Sequence, residues 1–267
     1  MFEAFFSLTK APFPRDIPIK ELYASIAHEE LQGRLEYASR NRLFAVVTGD
    51  VGTGKSTALR KFSAKLDSNR YKVLYISDSS LTPRNFYWEA LHQMGCEPRF
   101  YRGDAKRQFQ KELLNLIEVE HKLPVVVVDE AHLLSREMLE EIRFLLNSKM
   151  DSYNPLGLIL VGQSELKETL RLQVYEAICQ RINIRFHLSP MGPEETKSYI
   201  TRHMEAAGAA QILFTDNALD VVHEYSGGIA RKINNLCIAS LMHASGVKKR
   251  LIDDHMIRTV IESEFEW

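Results

Sequence analysis

The chain has 267 residues and a formal net charge of −1 at pH 7, with 45% hydrophobic and 26% charged residues. This length is enough for one large domain or two modest ones, each with a sizeable core. The near-neutral balance excludes a global positive field that would draw the chain to nucleic acid or to an anionic membrane, although local basic clusters could still do so.

Cysteine use and hydropathy bound the compartment. Cys96, Cys179 and Cys237 are scattered along the chain, which favours small buried thiols in a reducing cytosol over a disulfide framework or a metal site. The N-terminus lacks the basic start and long apolar run of a secretory signal. Apolar runs such as "VVVV" fall well short of the roughly 20 residues that span a bilayer. We therefore expect a cytoplasmic protein with no membrane partner.

Strand-like and helical segments alternate after an N-terminal arm. Residues 1–20 are rich in Phe and Pro and predict an irregular packed arm, and residues 28–40 predict a helix. Nearly unbroken apolar runs then suggest parallel strands that are covered on both faces. Such runs lie at 43–48, 72–77, 124–129, 156–162 and 182–187, with helical segments at 55–68, 84–95, 104–120 and 135–150. The alternation predicts an α/β fold with a parallel five-stranded sheet flanked by helices.

The pattern changes at "LSPMGPEET", after which only helical segments follow. These segments lie at 193–207, 215–225, 229–244 and 253–263. Gly192 and Pro193 mark the boundary, because this pair interrupts regular structure. The sequence therefore predicts an α/β domain with its arm over 1–189 and a small all-helical domain over 190–267.

The segment "GDVGTGKS" matches the pattern G-x-x-x-x-G-K-[ST] in full, with a strand before it and a helix after it. The glycines let backbone N–H groups turn towards phosphate oxygens, and the helix adds the positive end of its dipole. Lys55 would reach the β- and γ-phosphates, and the Ser56 hydroxyl would bind Mg²⁺. The residues predicted to contact the nucleotide here are Gly49, Asp50, Val51, Gly52, Thr53, Gly54, Lys55, Ser56 and Thr57.

An acidic pair leaves the end of a buried strand in "VVVVDEAH". Ligands of open α/β sheets bind at the carboxyl ends of the strands, so both side chains point to the same site. Asp129 would hold Mg²⁺ through water, and Glu130 would orient and deprotonate the attacking water. The alternative is a simple preference for acidic residues at a helix N-terminus.

Three further polar residues could serve the same site. Gln163 ends a strand in "LILVGQSEL" and could lie beside the γ-phosphate, or it belongs to an ordinary turn. Arg181 precedes the last strand and could stabilise charge during phosphoryl transfer, in some proteins on a neighbouring subunit, whereas Arg185 is more easily a solvated strand residue. Arg231 follows a glycine pair in "YSGGIARKIN" and could reach the nucleotide or form a surface ion pair.

These five motifs, in this order, resemble an AAA+ ATPase with its helical lid. Further segments resemble the ExeA-like ATPases over almost the whole chain, among them "LYASIAHEELQGRLEYA", "LEEIRFLLN", "ICQRINIRFHLSPM" and "SGGIARKINNLC". That group includes secretion-associated ATPases and the AAA+ helpers of DNA transposition, which are similar to TniB, TnsC, IstB and MuB.

The resemblance implies specific roles and the cofactors ATP and Mg²⁺. Lys55 and Ser56 would hold phosphate and magnesium, and Asp129 and Glu130 would form the acidic motif. The remaining implied roles are sensor 1 for Gln163, a finger supplied in trans for Arg181, sensor 2 for Arg231 and a place near the adenine for Tyr23.

Some features depart from the secretion type. The acidic motif reads "DEAH" where that type usually has "DEAQ", and the sequence ends at Trp267 without the membrane span and cell-wall-binding part expected there. "FPRDIPIKELY" looks more like the stand-alone ATPases that accompany transposases. We therefore expect an ATP-dependent homo-oligomer, a ring or a helical filament, that binds double-stranded DNA without sequence preference and recruits or regulates a transposase. The alternative is an ATPase that energises secretion or envelope assembly through protein partners without DNA.

The segment 84–112 is the predicted DNA-contacting region. Its basic side chains could follow phosphates without reading sequence, with Phe100 and Tyr101 among them. An ordinary solvated helix face is equally open, because acidic residues interleave. In an oligomer each subunit needs only a few contacts, so near-zero net charge does not exclude DNA binding. The predicted contacts are Arg84, Arg99, Arg102, Lys106 and Arg107.

Overall fold

The computed structural model describes residues 2–14, 16–78, 80–146 and 153–265. Five strands form one sheet in the order β2-β3-β4-β1-β5, and every neighbouring pair is parallel. The parallel five-stranded sheet expected from the sequence is therefore confirmed. The strands are β1 Phe44–Gly49, β2 Tyr71–Ser77, β3 Leu123–Asp129, β4 Gly157–Gly162 and β5 Ile184–Leu188.

Helices connect the strands, and short 3-10 turns lie at Ile19–Glu21, Ala131–Leu133 and Gln173–Tyr175. Side-chain caps explain where two of the helices begin. Thr82, before the helix Pro83–Gln93, and Ser135, before the helix Arg136–Leu145, each accept a hydrogen bond from a first-turn amide at 3.2 Å. Each bond satisfies a donor that has no partner inside the helix. The helices up to β5 are α1 Phe2–Phe5, α2 Ile26–Asn41, α3 Lys55–Lys65, α4 Pro83–Gln93, α5 Arg102–Glu118, α6 Arg136–Leu145, α7 Ser164–Arg171 and α8 Glu176–Cys179.

Burial along the strands explains the unbroken apolar runs. Every residue of β1 and β4 is buried, because helices cover both faces of the sheet there. The edge strands β2 and β5 contain exposed or half-buried positions instead. At the β2 edge, the Gln93 side-chain amide bonds both backbone groups of Tyr75, donating to its carbonyl at 2.7 Å and accepting from its N–H at 2.9 Å. A side chain thus fills the place of a neighbouring strand at that residue.

The chain forms two compact units. The first, here the α/β unit, comprises His28–Gly49 and Lys55–Leu188. The second, here the helical unit, comprises Met1–Ala27, Asp50–Gly54 and Ser189–Trp267. In the α/β unit the core groups strand residues such as Phe44 and Val126 with helix residues such as Phe86, all of them fully buried.

The helical unit contains α9 Pro193–Ala206, α10 Asp216–Ser226, α11 Ala230–Gly246 and α12 Asp254–Glu264. Ile200, Ile233 and Ile257 pack in its core. Gly228 lies between α10 and α11 with a φ of 75°, and a Cβ there would lie 1.9 Å from the Met191 carbonyl oxygen. The glycine pair of the sequence is therefore required by this close backbone approach.

The N-terminal arm groups with the helical unit, whereas the sequence predicted it as part of the α/β domain. Phe6 and Phe13 are buried in the helical core, and the Phe13 ring stacks on His203 with centroids 4.9 Å apart. The Thr9 amide also donates to the Ala207 carbonyl at 2.8 Å. The burial of these aromatic rings therefore groups the arm with the helical unit. The arm's content of apolar residues predicts that it is buried, but not which of the two cores buries it.

Some element boundaries differ from the predictions. The helix predicted over 135–150 ends at Leu145, and 147–152 lie outside the described residues. The strand predicted from 182 begins at Ile184, because the amides of Arg181 and Ile182 bond back to the preceding turn. The short helices α7 and α8 were not predicted, and all three cysteines are free.

In residues 2–14, 16–78, 80–146 and 153–265, none of the helices combines the length and the apolar character needed to cross a lipid bilayer.

His203 makes the stability of the helical unit depend on pH. Burial, and then the nearby Arg202 charge, lower the pKa of His203 to about 4. In the unfolded chain this imidazole takes up a proton near pH 6.5. The stabilisation that comes from the neutral, buried His203 is therefore fully present above that pH and is lost as pH falls towards 4. The variant His203→Phe keeps an aromatic ring against Phe13 and Tyr199 but cannot titrate.

We expect the wild type to lose about 2 kcal/mol more unfolding free energy than His203→Phe between pH 7.5 and pH 5.0. Urea titrations of both proteins at the two pH values measure this difference. An equal loss in both proteins would show that His203 does not control the pH dependence.

Candidate active site

A loop joins the end of β1 at Gly49 to the start of α3 at Lys55. The Thr53 amide and hydroxyl both donate to the Asp50 carbonyl, at 3.3 and 2.9 Å, which closes the loop on itself. Lys55 begins α3, and its Nζ donates to the Gly49 carbonyl at 2.7 Å. Because the first amides of a helix lack intrahelical acceptors, the start of α3 is suited to bind an anion. Ser56 and Thr57 complete this first turn.

Gly52 lies at the apex of the loop with a φ of 86°, in the left-handed region. The Arg231 amide, at the start of α11, donates to the Gly52 carbonyl at 3.2 Å. A Cβ at Gly52 would lie 2.7 Å from the Arg231 Cβ, a separation that real side chains do not adopt. Glycine is therefore needed here for its backbone and for its lack of a side chain, and Val51 beside it is half exposed.

Asp129 ends β3 and is only 4% exposed. Its Oδ2 accepts hydrogen bonds from the Tyr75 hydroxyl at 2.7 Å and from the Ser56 hydroxyl at 3.4 Å. Burial and the bond to Asp129 raise the pKa of Tyr75 to about 12, so this phenol stays protonated and donates. The structure thus brings the predicted Ser56 and Asp129 together, and it adds Tyr75, which sequence reasoning missed.

The Ser56 and Asp129 pair suits a magnesium ion. Mg²⁺ binds oxygen ligands, usually one or two protein groups with water and substrate phosphates completing its shell. A hydroxyl and a carboxylate that already meet at one point offer that chemistry. The residues present therefore fit the ion that the phosphate-loop pattern implies.

Glu130 follows Asp129 in a strained backbone conformation, with φ 53° and ψ 32°. Strain of this kind in a residue other than glycine costs about 1–3 kcal/mol and is concentrated at functional sites. Its side chain is 46% exposed, and its Oε2 lies 3.5 Å from the Nδ1 of His132. The backbone amide of Gln163, the residue after β4, donates to the same Nδ1 at 3.4 Å. The structure thus brings Glu130 and Gln163 together around a histidine to which the sequence gave no role.

Arg181 lies away from this cluster. It sits in the turn before β5, at the amino end of a strand, whereas Asp129 and Gln163 follow the carboxyl ends of theirs. In a parallel sheet the amino ends and the carboxyl ends of the strands lie on opposite sides, and two strands separate β3 from β5. Arg181 is therefore not placed to serve the site of its own chain.

Arg231 and Tyr23 both lie in the helical unit. Arg231 adjoins the loop through its backbone bond to Gly52. The Tyr23 ring meets the Tyr199 ring edge-on at 5.6 Å, and burial, followed by the charge of Glu195, raises the pKa of Tyr23.

The basic residues predicted to contact DNA divide into two groups. Arg102 pairs with Glu137 and Glu141 at 2.5 and 2.6 Å, and Lys106 pairs with Glu141 at 2.6 Å. Glu141 is 4% exposed, so both cations balance an interior carboxylate, while the Arg102 side chain itself is 43% exposed. Contact of Arg102 and Lys106 with DNA therefore stays a prediction, and in this structure their charges already serve packing between α5 and α6.

The other three basic residues remain at the surface. Arg107 is exposed but bonds Asp104 at 2.6 Å. Arg84 and Arg99 are exposed, and within the described residues neither has a carboxylate partner. The Arg84 guanidinium lies 4.5 Å from the centroid of Phe100, whose ring is 70% exposed. Arg84 and Arg99 are thus the stronger candidates for phosphate contacts.

Comparison with known proteins agrees with this architecture. Residues 38–170 match the AAA domain family. The structure of Cdc6p from Pyrobaculum aerophilum has a TM-score of 0.66 and 17% identity, covering 97% of this chain and 70% of that one. The RuvB Holliday junction branch migration motor of Thermotoga maritima has a TM-score of 0.57 and 16% identity, covering 88% and 68%. The chain therefore contains a domain of the AAA family.

The chain is also similar to two named proteins. It is 34% identical over 251 residues to General secretion pathway protein A of Aeromonas hydrophila, covering 91% of this chain. It is 24% identical over 240 residues to the ATP-dependent target DNA activator B of Escherichia phage D108, covering 87% of this chain and 70% of that protein. The chain spans 45% of the secretion protein's length. Its relatives thus include a general secretion pathway protein and an ATP-dependent target DNA activator.

The geometry at Gly52 makes a direct prediction for nucleotide binding. The variant Gly52→Ala places a Cβ against Arg231 and strains a positive φ, so we expect unfolding free energy to fall by about 1–3 kcal/mol. ATP affinity should fall about tenfold or more, because the loop cannot keep its shape. Calorimetric ATP titration and urea unfolding measure the two effects.

Gly33 provides the matched control for this substitution. It lies exposed in α2, and a Cβ there meets nothing within 4 Å. The variant Gly33→Ala should keep ATP affinity and gain about 1 kcal/mol of stability, the usual benefit of alanine in a helix. Equal ATP affinities for Gly52→Ala and Gly33→Ala would contradict the role given to Gly52.

Proposed function

We propose that the chain binds ATP with Mg²⁺ and hydrolyses its γ-phosphate. The observation that carries this proposal is the convergence of Ser56 and Tyr75 on the buried carboxylate of Asp129, with Glu130 directly after it. The AAA-family domain supports it, because phosphate loop, acidic pair and strand-end Gln163 occur in the expected order. A pure nucleotide binder would not need a carboxylate in the place of Glu130.

Each residue then has a chemical role. The Lys55 ammonium would exchange the Gly49 carbonyl for phosphate oxygens, while the first amides of α3 bind the same anion. Ser56 and Asp129 would hold the magnesium ion, which when bound neutralises charge on the phosphate oxygens. Glu130 would accept a proton from water while the water oxygen bonds to the γ-phosphorus. The bond between the γ-phosphorus and the bridging oxygen, which leaves with ADP, would break at the same time. The products are ADP and phosphate.

We also propose that Arg181 acts in trans. It lies at the opposite edge of the sheet from Asp129, so it would reach a neighbouring protomer's nucleotide and stabilise charge that develops there. Arg231 would sense the nucleotide through the loop, because its backbone is bonded to Gly52. Tyr23 would lie near the adenine. Bound ATP would then favour assembly of protomers, and hydrolysis would release them.

Two substitutions separate binding from hydrolysis. The variant Lys55→Ala removes the phosphate cation, and we expect ATP affinity to fall by roughly 10²-fold. The variant Glu130→Gln keeps the shape but not the base, so affinity should stay within about 3-fold while turnover falls by 10²–10⁴-fold or more, the range roughly expected for a general base. Calorimetry and phosphate release measure the two quantities. Turnover in Glu130→Gln close to the wild-type rate would exclude Glu130 as the base.

We propose further that the ATP-bound oligomer assembles on double-stranded DNA without sequence preference and recruits or regulates a transposase. Support comes from the similarity to ATP-dependent target DNA activator B, which extends over 87% of this chain. The exposed Arg84 and Arg99, beside the exposed rings of Phe100 and Tyr101, supply the basic surface that phosphate contacts need.

The second candidate function is an ATPase that serves secretion or envelope assembly through protein partners without DNA. The 34% identity to General secretion pathway protein A favours it. Both candidates use the same ATP site, so only the partner distinguishes them. ATP turnover that is indifferent to DNA but stimulated by an inner-membrane partner would support the secretion role.

DNA binding provides the discriminating test. We expect duplex DNA to bind with a non-hydrolysable ATP analogue, with an affinity that falls steeply as salt rises. The double variant Arg84→Gln, Arg99→Gln should lower the salt slope by about 2 per bound subunit, because each phosphate contact contributes about 1. Arg258→Gln on α12 is the matched control and should leave the slope unchanged. Absence of binding at low salt would leave the secretion role as the better proposal.

A further inference from the structure

His132 occupies the space between the proposed base and the end of β4. Its side chain is only 10% exposed, and it lies in the 3-10 turn Ala131–Leu133. This turn packs closely on β4, because a Cβ at Gly162 would lie 3.0 Å from the His132 amide nitrogen. The ring is therefore held at a fixed place, with its Nδ1 3.5 Å from Glu130 Oε2 and 3.4 Å from the Gln163 amide nitrogen.

One nitrogen cannot satisfy both neighbours at once. In a neutral imidazole, Nδ1 carries either a lone pair or a proton. With a lone pair, Nδ1 accepts from the Gln163 N–H, but it offers nothing to the Glu130 carboxylate, which is itself an acceptor. With a proton, Nδ1 donates to Glu130, and the Gln163 N–H loses its acceptor. The two contacts are thus mutually exclusive.

We propose that His132 is a positioning residue that couples the Gln163 end of β4 to the Glu130 carboxylate. While Nδ1 accepts from Gln163, Glu130 is released to approach water. A shift of Gln163 that lengthens its 3.4 Å contact frees Nδ1 to donate to Glu130 and hold the carboxylate in place. This inference rests on the proposed hydrolysis and assigns to His132 the link between the two strand ends.

Two substitutions test the coupling through ATP turnover. The side chain of His132→Leu keeps bulk but has no polar atom, so kcat should fall about tenfold or more, a fraction of what a general base contributes, while KM for ATP changes less than about twofold. The amide of His132→Gln can accept from Gln163 and donate to Glu130, so kcat should recover to within about threefold of wild type. His255→Leu, at an exposed position of α12, is the matched control and should behave as wild type.

A second readout does not depend on turnover. In nucleotide-free protein with ¹⁵N-labelled histidine, NMR should find the His132 Nδ1 unprotonated and its Nε2 protonated, because the Gln163 amide donates to Nδ1. Hydrogen exchange at the Gln163 amide should quicken in His132→Leu and return towards wild type in His132→Gln.

The outcomes separate this inference from the proposed function. Wild-type kcat in His132→Leu, or equal losses in the Leu and Gln variants with unchanged melting temperatures, would overturn the coupling. A protonated Nδ1 in the nucleotide-free protein would overturn it as well. A wild-type protein without any ATP turnover would refute the proposed hydrolysis, whereas the NMR and exchange results would still decide whether His132 bonds Gln163.

Discussion

The carboxylate of Asp129 is the group around which the candidate site is arranged. A nearly buried charge is costly unless hydrogen bonds compensate it, and here two hydroxyls donate to the same oxygen. One comes from the first turn of α3 and the other from β2, so a single carboxylate fixes the relative position of three elements. The arrangement exists within the folded α/β unit itself, which means that a nucleotide would meet donors and acceptors already in place.

Much of the fold could be predicted because burial leaves a direct mark on the sequence. Strands covered on both faces must be apolar throughout, so the runs for β1, β3 and β4 matched their observed bounds within a residue or two. The strand order could not be derived in the same way, because an apolar run does not specify its neighbour. The arm was assigned to the other domain for a related reason. Phe6 and Phe13 indicate that the arm is buried, but they do not indicate which core buries it.

The site shows the same division between local and distant information. The phosphate loop and the acidic pair are each formed by one continuous segment of the sequence, so the spacing of residues within each segment was enough to predict them. Tyr75 and His132 contact residues that end or follow other strands, and only the folded sheet brings these together. The ion pairs of Arg102 and Lys106 could not be predicted in this way, because the carboxylate that neutralises them, Glu141, lies 35 or more residues further along the chain.

The Gln93 amide at the edge of the sheet bears on how copies of the chain can associate. An open edge strand offers a row of free backbone groups that invites another chain to pair with it, a common route to runaway aggregation. Here a side chain occupies both backbone groups of Tyr75, the β2 residue whose hydroxyl donates to Asp129. Growth by strand addition is therefore obstructed at that point of the β2 edge, which favours association through side-chain surfaces, whose contacts can be made and broken reversibly.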